Sequence, residues 1–257
     1  MTVARIDDRG DRLVVLNGNA QRRGALTPEF LQAITEAAEQ AIQPRIKAVI
    51  LSADGPFFCA GGDLNVLITR QQMAEDDRRA QIDKLHDRVR AIRACPVPVI
   101  AAVEGGAAGA GLSIALACDL IVAAEDAKFT AAYVKAGLVP DGGLTASLAR
   151  LLPRPLAMEM CLLGRPVAAA RMEALGAVNL LTPSGGAEAG AMALADALAR
   201  GPRSTQGVIR AMVARAYDTA EAAQLDLERD AMGRATGSAD AAEGIAAFLE
   251  KRPPDWS

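Results

Sequence analysis

Two short segments of the chain are rich in small residues, and both could bind a ligand through the main chain. They are FFCAGGDL at residues 57–64 and GGAAGAGL at residues 105–112. Each follows an apolar run of strand length, and small residues let a ligand approach the backbone closely. If a helix begins at Leu112, the N–H groups of residues 109–111 would be unpaired at the positive end of that helix. Such a place suits an oxyanion.

The second of these loops also admits two other interpretations. Tight packing of a helix against a sheet would use the same small residues without binding anything. The order strand, Gly109-Ala110-Gly111, helix also imitates a dinucleotide-binding loop, although Ile114 stands at the third glycine position and the helix is short. Oxyanion binding and tight packing both remain open on the residues alone.

Asp141, in the segment VPDGGLT, is a carboxylate that could act as a base. An aspartate between Pro140 and Gly142 also shapes a turn, and it could cap a helix that starts near Leu144. The only histidine, His86, lies among charged residues of a predicted helix, which favours a solvated position. The four cysteines are far apart and form no CxxC pair, so we expect a reduced cytoplasmic protein without a metal site.

The elements that must position these residues alternate between strands and helices, which predicts an α/β fold. Continuous apolar runs predict strands that are covered on both faces, and Thr27 followed by Pro28 predicts a helix start. On the predicted helix over residues 73–94, apolar residues recur at spacings of three and four and should face the core: Ile82, Leu85, Val89 and Ile92. The predicted strands are residues 11–17, 46–52, 97–103 and 120–124; the predicted helices are residues 27–42, 73–94, a short one from 112, and two or three after Gly201.

The bulk properties exclude several classes of protein. A net charge of -3 with interleaved basic and acidic residues gives no reason to expect a nucleic-acid partner. The charged N-terminus lacks the apolar core of a signal peptide. The apolar stretch at residues 95–118 is interrupted by Pro96, Pro98 and several glycines, so we expect no membrane span.

The chain resembles the crotonase (enoyl-CoA hydratase/isomerase) superfamily in four segments that span nearly its whole length. They are FFCAGGDL, CPVPVIAAVEGGAAGAGLSIALACDLIVAAEDAKF, GLVPDGGLTASLARLLP and EGIAAFLEKRPP, in the family's order and at similar spacing. The resemblance implies a spiral of ββα units over residues 1–200 and a helical C-terminal trimerisation subdomain over residues 201–257. It implies a homotrimer or homohexamer that binds an acyl-CoA thioester, with coenzyme A as part of the substrate and no other cofactor.

The resemblance also implies which main-chain groups stabilise an enolate of the thioester carbonyl. The family's two oxyanion-hole donors are backbone amides, one just after the AG of the first loop and one within the second loop's glycine triplet. The matching residues here are Gly62 and Ala110. Alanine at position 110 keeps its N–H, so the replacement of glycine need not abolish the interaction.

The positions where the family's hydratases hold two glutamates are Ser113 and Tyr133 here, and neither hydroxyl is a good base at neutral pH. Asp141 resembles the single acidic base of the family's double-bond isomerases, so we expect an isomerase. Hydratase chemistry stays open, and so does a noncatalytic acyl-CoA binder. The 4-chlorobenzoyl-CoA dehalogenases of the family also use an aspartate resembling Asp141, with a histidine and an aromatic residue resembling His86 and Tyr133.

Coenzyme A contacts follow from the same resemblance. The adenine is expected near the backbone of the first loop, and basic residues of the Gln21-Arg22-Arg23 segment are available to the phosphates. Solvated surface charge is an equally good interpretation of the basic residues, and Asp63 could be a local cap. The residues expected at coenzyme A are Arg22, Arg23, Ala60, Gly62, Asp63, Leu64, Phe248 and Lys251.

Overall fold

The computed structural model describes residues 3–256, which form nine strands and eleven helices. The strands are β1 (Ala4–Asp8), β2 (Arg12–Asn17), β3 (Ala48–Ala53), β4 (Val99–Val103), β5 (Gly106–Ala108), β6 (Leu120–Ala124), β7 (Lys128–Thr130), β8 (Val167–Ala168) and β9 (Leu180–Thr182). The helices are α1 (Pro28–Gln40), α2 (Leu64–Thr69), α3 (Glu75–Ala94), α4 (Ala110–Ala115), α5 (Leu144–Leu151), α6 (Arg154–Leu163), α7 (Ala169–Ala174), α8 (Ala187–Ala199), α9 (Arg203–Arg215), α10 (Glu221–Thr236) and α11 (Ala239–Glu250).

Six strands form a sheet in the order β1-β2-β3-β4-β6-β9, which is parallel except for the antiparallel pair β1 and β2. The central strands are buried along their length, because successive side chains enter hydrophobic clusters on opposite faces. Helix α8 covers one face, and α1 and α3 contribute to the core on the other. The predicted double coverage is therefore confirmed.

A smaller sheet in the order β5-β7-β8 lies beside the first one, and an isolated bridge between Cys59 and Ala107 extends its pairing. Along the chain, a strand of the large sheet is repeatedly followed by a short extended segment in the small sheet and then by a helix. The runs β4-β5-α4 and β3-Cys59-α2 have this order. This repetition is the spiral of ββα units that the sequence resemblance implied.

Local sequence signals explain where the helices near the site begin and which face they bury. Thr27 caps α1 by accepting a hydrogen bond from the N–H of Phe30 at 3.2 Å, as the Thr-Pro pair predicted. On α3, Leu85, Val89 and Ile92 are buried. The prediction was wrong for Ile82, which is 37% exposed. Spacing identifies the apolar face of a helix, but the position of its neighbours decides how far along that face burial extends.

The three helices after Gly201 are α9, α10 and α11. A buried arginine side chain on α9, Arg210, attaches this helix to the end of α3. The guanidinium of Arg210 donates to the main-chain oxygens of Ile92 at 2.5 Å and Arg93 at 3.0 Å, at the end of α3. It also donates to the carboxylate of Asp119 at 2.6 Å. The side chain thus satisfies carbonyls that a helix C-terminus leaves without partners.

Several elements carried too little signal to be predicted. Charged residues mask β1, and β5, β7 and β8 are only two or three residues long. Among residues 3–256 no helix is long and apolar enough to cross a membrane.

Candidate active site

The first small-residue loop connects β3 to α2 and is held by main-chain hydrogen bonds on both sides. The N–H of Ala60 donates to the carbonyl of Arg23 at 2.9 Å, and the carbonyl of Gly61 accepts from the N–H of Leu26 at 2.8 Å. Gly61 has φ +91°, a left-handed conformation that favours glycine. The loop is therefore anchored to residues 23–26 immediately before Gly62.

The second loop begins at the end of β4 and passes into α4 at Ala110, two residues earlier than predicted. The expectation that Gly109 has a free N–H was wrong, because this group donates to the carbonyl of Thr130 at 3.0 Å. The cause is the ladder between β5 and β7, which pairs Ala108 with Thr130 and continues by one more hydrogen bond. The strand at residues 128–130 was not predicted, so its partner was not either.

The two loops are in direct contact through backbone atoms. The N–H of Ala108 donates to the carbonyl of Cys59 at 2.9 Å. A Cβ atom on Gly61 would lie 2.7 Å from the carbonyl oxygen of Ala108, and one on Gly111 would lie 2.3 Å from that of Cys59. Both sites thus require glycine, so tight packing and ligand approach are compatible explanations of the same small residues.

Three N–H groups at this junction have no protein acceptor among the described residues. They belong to Gly62 in the first loop and to Ala110 and Gly111 at the start of α4, and the last two were expected from the sequence. Gly62 is exposed, and Ala110 is 7% exposed. The Cβ position of Gly61 is 3.0 Å from the nitrogen of Ala110, so the two loops meet next to both donors. An N–H pair at such a junction could hold the oxygen of a polarised carbonyl.

Ser113, Tyr133 and Asp141 form one hydrogen-bonded cluster. The hydroxyl of Tyr133 donates to Asp141 Oδ1 at 2.6 Å. The hydroxyl of Ser113 donates to the main-chain oxygen of Asp141 at 2.9 Å and lies 3.1 Å from the Tyr133 hydroxyl. The three residues come from α4, from a short 3-10 helix after β7 and from the turn before α5. The fold thus brings together the acidic residue and both hydroxyls that stand at the hydratase glutamate positions.

The turn that carries Asp141 depends on the two glycines that follow it. Gly142 and Gly143 have φ values of +61° and +75°, which favour glycine. A Cβ on Gly142 would lie 2.7 Å from Cβ of Ser113 and 3.3 Å from Leu85 of α3. The main chain of Asp141 accepts from the N–H of Leu144, but α5 has no side-chain cap. The turn interpretation is thus right, whereas the predicted side-chain cap was wrong.

Burial determines the protonation of two groups near the loops. Burial, followed by the charge of Asp141 and the hydrogen bond to it, raises the pKa of Tyr133 far above its usual value. The phenol therefore remains protonated at neutral pH, so it serves as a hydrogen-bond donor and not as a base. Burial also raises the pKa of Cys59 to about 12, so this thiol beside the junction is neutral.

His86 lies on α3 outside the hydrogen-bonded cluster. Its side chain is 34% exposed, and its Nδ1 is 3.8 Å from the carboxylate of Asp83 on the same helix. Within residues 3–256 it has no hydrogen bond to Tyr133 or Asp141. This position agrees with the partly solvated histidine that the sequence favoured.

Five of the residues expected at coenzyme A lie in or beside the first loop. Arg22 forms an ion pair with Asp63, and Asp63 Oδ1 caps α2 by accepting from the N–H of Asn65 at 2.9 Å. Arg23 lies over the ring of Phe57 at 4.2 Å, which fixes it beside the first loop. Ala60 and Leu64 flank Gly61 and Asp63 in the same loop, and Leu64 is 64% exposed.

Phe248 and Lys251 are far along the sequence, at the C-terminal end of α11. Phe248 is 82% exposed, and Lys251 ends the helix with φ +55°. Helix α11 packs against α10, and Trp256 beyond it donates to the carbonyl of Arg200 at 2.7 Å. Among residues 3–256, neither side chain forms a hydrogen bond or an ion pair with the glycine loops.

One cavity of about 780 Å³ lies apart from this junction, between the ends of β3 and β4 and helix α8. Its lining includes Asp54, Glu104 and Glu188 but none of Gly62, Ala110 and Asp141. Glu104 spans its wall by accepting from the N–H groups of Gly185 and Ala187. In the described part of the chain, no three His, Cys, Asp or Glu residues are arranged to hold a metal ion.

Comparison with known proteins identifies relatives over almost the whole chain. The sequence profile of the enoyl-CoA hydratase/isomerase family matches residues 15–257. A probable enoyl-CoA hydratase of Rhodobacter capsulatus is 36% identical, over 96% of this chain and 92% of the relative. The 1,2-epoxyphenylacetyl-CoA isomerase of Escherichia coli is 34% identical, over 97% of this chain and 96% of the relative.

Solved structures agree with the sequence relatives. The crystal structure of an enoyl-CoA hydratase from Polaromonas sp. JS666 superimposes with a TM-score of 0.95 at 40% identity, covering 99% of both chains. One from Streptomyces coelicolor has a TM-score of 0.94 at 31% identity, covering 100% of this chain and 94% of that one. The chain therefore belongs to the enoyl-CoA hydratase/isomerase family of the crotonase superfamily, whose enzymes act on acyl-CoA thioesters.

Proposed function

We propose that this enzyme shifts a double bond in an unsaturated acyl-CoA, with Asp141 as the base and the N–H groups of Gly62 and Ala110 as the oxyanion hole. The observation that carries the proposal is the cluster around Asp141. Its carboxylate is linked to α4 through Tyr133 and Ser113, and α4 begins at Ala110, one of the two proposed oxyanion donors. A base and an oxyanion site are thereby joined by one rigid element.

The proposed reaction needs a single carboxylate. Asp141 removes a proton from the α carbon of the substrate, and the electron pair moves into the thioester to give a dienolate. The negative charge on the thioester oxygen is stabilised by the two N–H donors, each typically worth about 2.7–4 kcal/mol. The same carboxylate then returns the proton to the γ carbon. No atom is gained or lost, and the base is restored.

Hydration is the second candidate, because a probable enoyl-CoA hydratase and a 2,3-dehydroadipyl-CoA hydratase are among the relatives. The residues weigh against two-carboxylate hydration here. By the family resemblance, Ser113 and Tyr133 occupy the two positions where hydratases hold glutamates. A serine hydroxyl is a poor base at neutral pH, and the pKa of Tyr133 is raised, so neither side chain activates water as a base.

The test is Asp141→Asn, which keeps the shape of the side chain and removes the base. Wild-type enzyme should exchange α and γ protons of an unsaturated acyl-CoA with deuterated water, and the variant should bind the thioester without exchanging them. Exchange at the wild-type rate in the folded variant would refute the proposal. Mass spectrometry on a panel of CoA thioesters separates the alternatives, since isomerisation conserves mass, hydration adds one water, dehalogenation replaces the halogen, and a noncatalytic binder changes nothing.

For coenzyme A, we propose that Arg22, Arg23 and the main chain of residues 60–64 bind the nucleotide. The support is that both arginines lie against this loop: Arg22 forms an ion pair with Asp63, next to Gly62, and Arg23 stacks on the ring of Phe57. Phe248 and Lys251 are proposed to act in a neighbouring subunit of a trimer or hexamer.

The support for assembly is the apolar surface of the helices over residues 201–257, which we propose as the trimerisation subdomain. Light scattering coupled to size exclusion tests this assembly, and a monomer would contradict it. The exposed apolar side chains on these helices include Val208, Val213, Leu225, Met232, Ile245, Phe248 and Leu249.

A further inference from the structure

Asp141 is held at two different atoms by hydroxyls from two different elements. The hydroxyl of Tyr133 donates to the carboxylate oxygen Oδ1 at 2.6 Å, the length of a charge-assisted hydrogen bond. The hydroxyl of Ser113 donates to the main-chain oxygen at 2.9 Å. Among residues 3–256, the second carboxylate oxygen, Oδ2, accepts no hydrogen bond.

The two carboxylate oxygens of Asp141 differ in their hydrogen bonding. A tyrosine hydroxyl has a single proton, and that of Tyr133 is directed to Oδ1. The raised pKa of Tyr133 keeps the proton on the phenol, so Oδ1 stays engaged at neutral pH. Oδ2 is left as the carboxylate oxygen that can take up a proton from a substrate.

We infer that Tyr133 is a positioning residue that holds Asp141 through Oδ1 and thereby assigns proton transfer to Oδ2. This inference rests on the proposed role of Asp141 as the base. Ser113 completes the arrangement, because it lies one helical turn after Ala110 on α4. The oxyanion donor and the main chain of the base are therefore anchored to the same helix, and the substrate carbonyl and Oδ2 keep a fixed relation.

Tyr133→Phe tests the inference, since it removes the hydroxyl and keeps the ring. Turnover should fall about 10-fold or more, because a positioned group tolerates little displacement, whereas KM for the thioester should change little. A fall in turnover at nearly constant KM distinguishes a misplaced base from weakened thioester binding.

Ser113→Ala is the matched comparison. It removes a hydroxyl from the same cluster but leaves the bond from Tyr133 to the carboxylate, so its turnover should fall less than that of Tyr133→Phe. The other charged groups on the surrounding elements are unchanged in both variants. These are Arg93 and His86 on α3, Lys135 on the 3-10 helix and Arg150 on α5.

A second measurement is independent of whether Tyr133→Phe folds. The sequence has two tyrosines, so Tyr217→Phe leaves Tyr133 as the sole source of phenolate absorbance. Tyr217 is 72% exposed, so this background should fold. The carboxylate of Asp141 raises the pKa of Tyr133, so adding Asp141→Asn should move phenolate formation to lower pH.

The outcomes separate this inference from the proposed function. Wild-type turnover in Tyr133→Phe would overturn the positioning role, and so would phenolate formation at an unchanged pH in the double variant. Either result leaves the role of Asp141 intact if Asp141→Asn is inactive. If Asp141→Asn still exchanges substrate protons, the proposed function itself fails.

Discussion

Gly61 is a contact point between the two glycine loops, and we predict that Gly61→Ala will separate them. The added Cβ would lie 2.7 Å from the carbonyl oxygen of Ala108 and 3.0 Å from the nitrogen of Ala110. Ordinary contacts of a Cβ begin at 3.4 Å, and both neighbours are backbone atoms that cannot rotate away. The loops must therefore move apart by about 0.7 Å, judged from that shortfall.

The expected cost has two parts that a matched variant can separate. Alanine in a left-handed conformation costs about 1–2 kcal/mol, and overpacking adds about 1–3 kcal/mol. Gly10 has nearly the same backbone as Gly61, with φ +90° against +91°, but nothing lies within 4 Å of its Cβ position. Gly10→Ala should therefore lose about 1–2 kcal/mol and Gly61→Ala about 2–5 kcal/mol.

The effect on catalysis should differ even more between these variants. Because the loop junction carries both proposed oxyanion donors, Gly61→Ala should lower turnover at least about 10-fold, given that a misplacement of about 1 Å can cost 100-fold. Gly10→Ala, in the hairpin between β1 and β2, should leave turnover unchanged. Urea denaturation followed by circular dichroism measures stability, and a coupled assay measures turnover. Equal stabilities for the two variants, with normal turnover in Gly61→Ala, would refute the contact between the loops.

Four further predictions follow from other contacts. Ala110→Pro removes one proposed donor at the first position of α4, where proline is tolerated, so turnover should fall about 100-fold or more while thioester binding persists; normal turnover in a folded variant would eliminate this donor. Arg210→Met should cost about 1–3 kcal/mol in urea denaturation, because it removes the hydrogen bonds of the buried guanidinium to the carbonyls of α3 and its ion pair with the partly exposed Asp119, whereas Arg229→Met, in an exposed pair, should have little effect. Cys59 should resist iodoacetamide at pH 8 in the folded protein, because its pKa is raised to about 12; rapid modification detected by mass spectrometry would contradict this. Calorimetry should show that an acyl-CoA binds much more tightly than its free acid, since the nucleotide and pantetheine supply remote contacts, and equal affinities would argue against a coenzyme A site.

The sequence by itself determined the elements whose signals are local. The strands at β2, β4 and β6 follow from continuous apolar runs, and the start of α1 follows from the pair Thr27 and Pro28. These features depend on side chains next to one another in the chain, so a single segment is enough to predict them. The four landmark segments also identified the family, which the relatives confirm.

The tertiary structure decided the contacts between segments that are distant in sequence. The N–H of Gly109 donates to the carbonyl of Thr130 because β7 pairs with β5. On α3 the buried residues begin at Leu85, and Ile82, one turn earlier on the same face, is exposed. No local sequence pattern predicts a strand of three residues or how many turns of a helix are buried. Both depend on which distant segments of the chain pack against them.

The cluster at Asp141 is the clearest case of this division. The sequence named Ser113, Tyr133 and Asp141 separately, with the two hydroxyl residues as replacements for carboxylates. Only the fold brings the hydroxyl of Tyr133 to 2.6 Å from one oxygen of Asp141. A hydrogen bond is directional and short-ranged, so its existence depends on the placement of α4, the 3-10 helix and the turn within a fraction of an ångström. Residue types determine which chemistry is available, and the tertiary structure determines which atom can perform it.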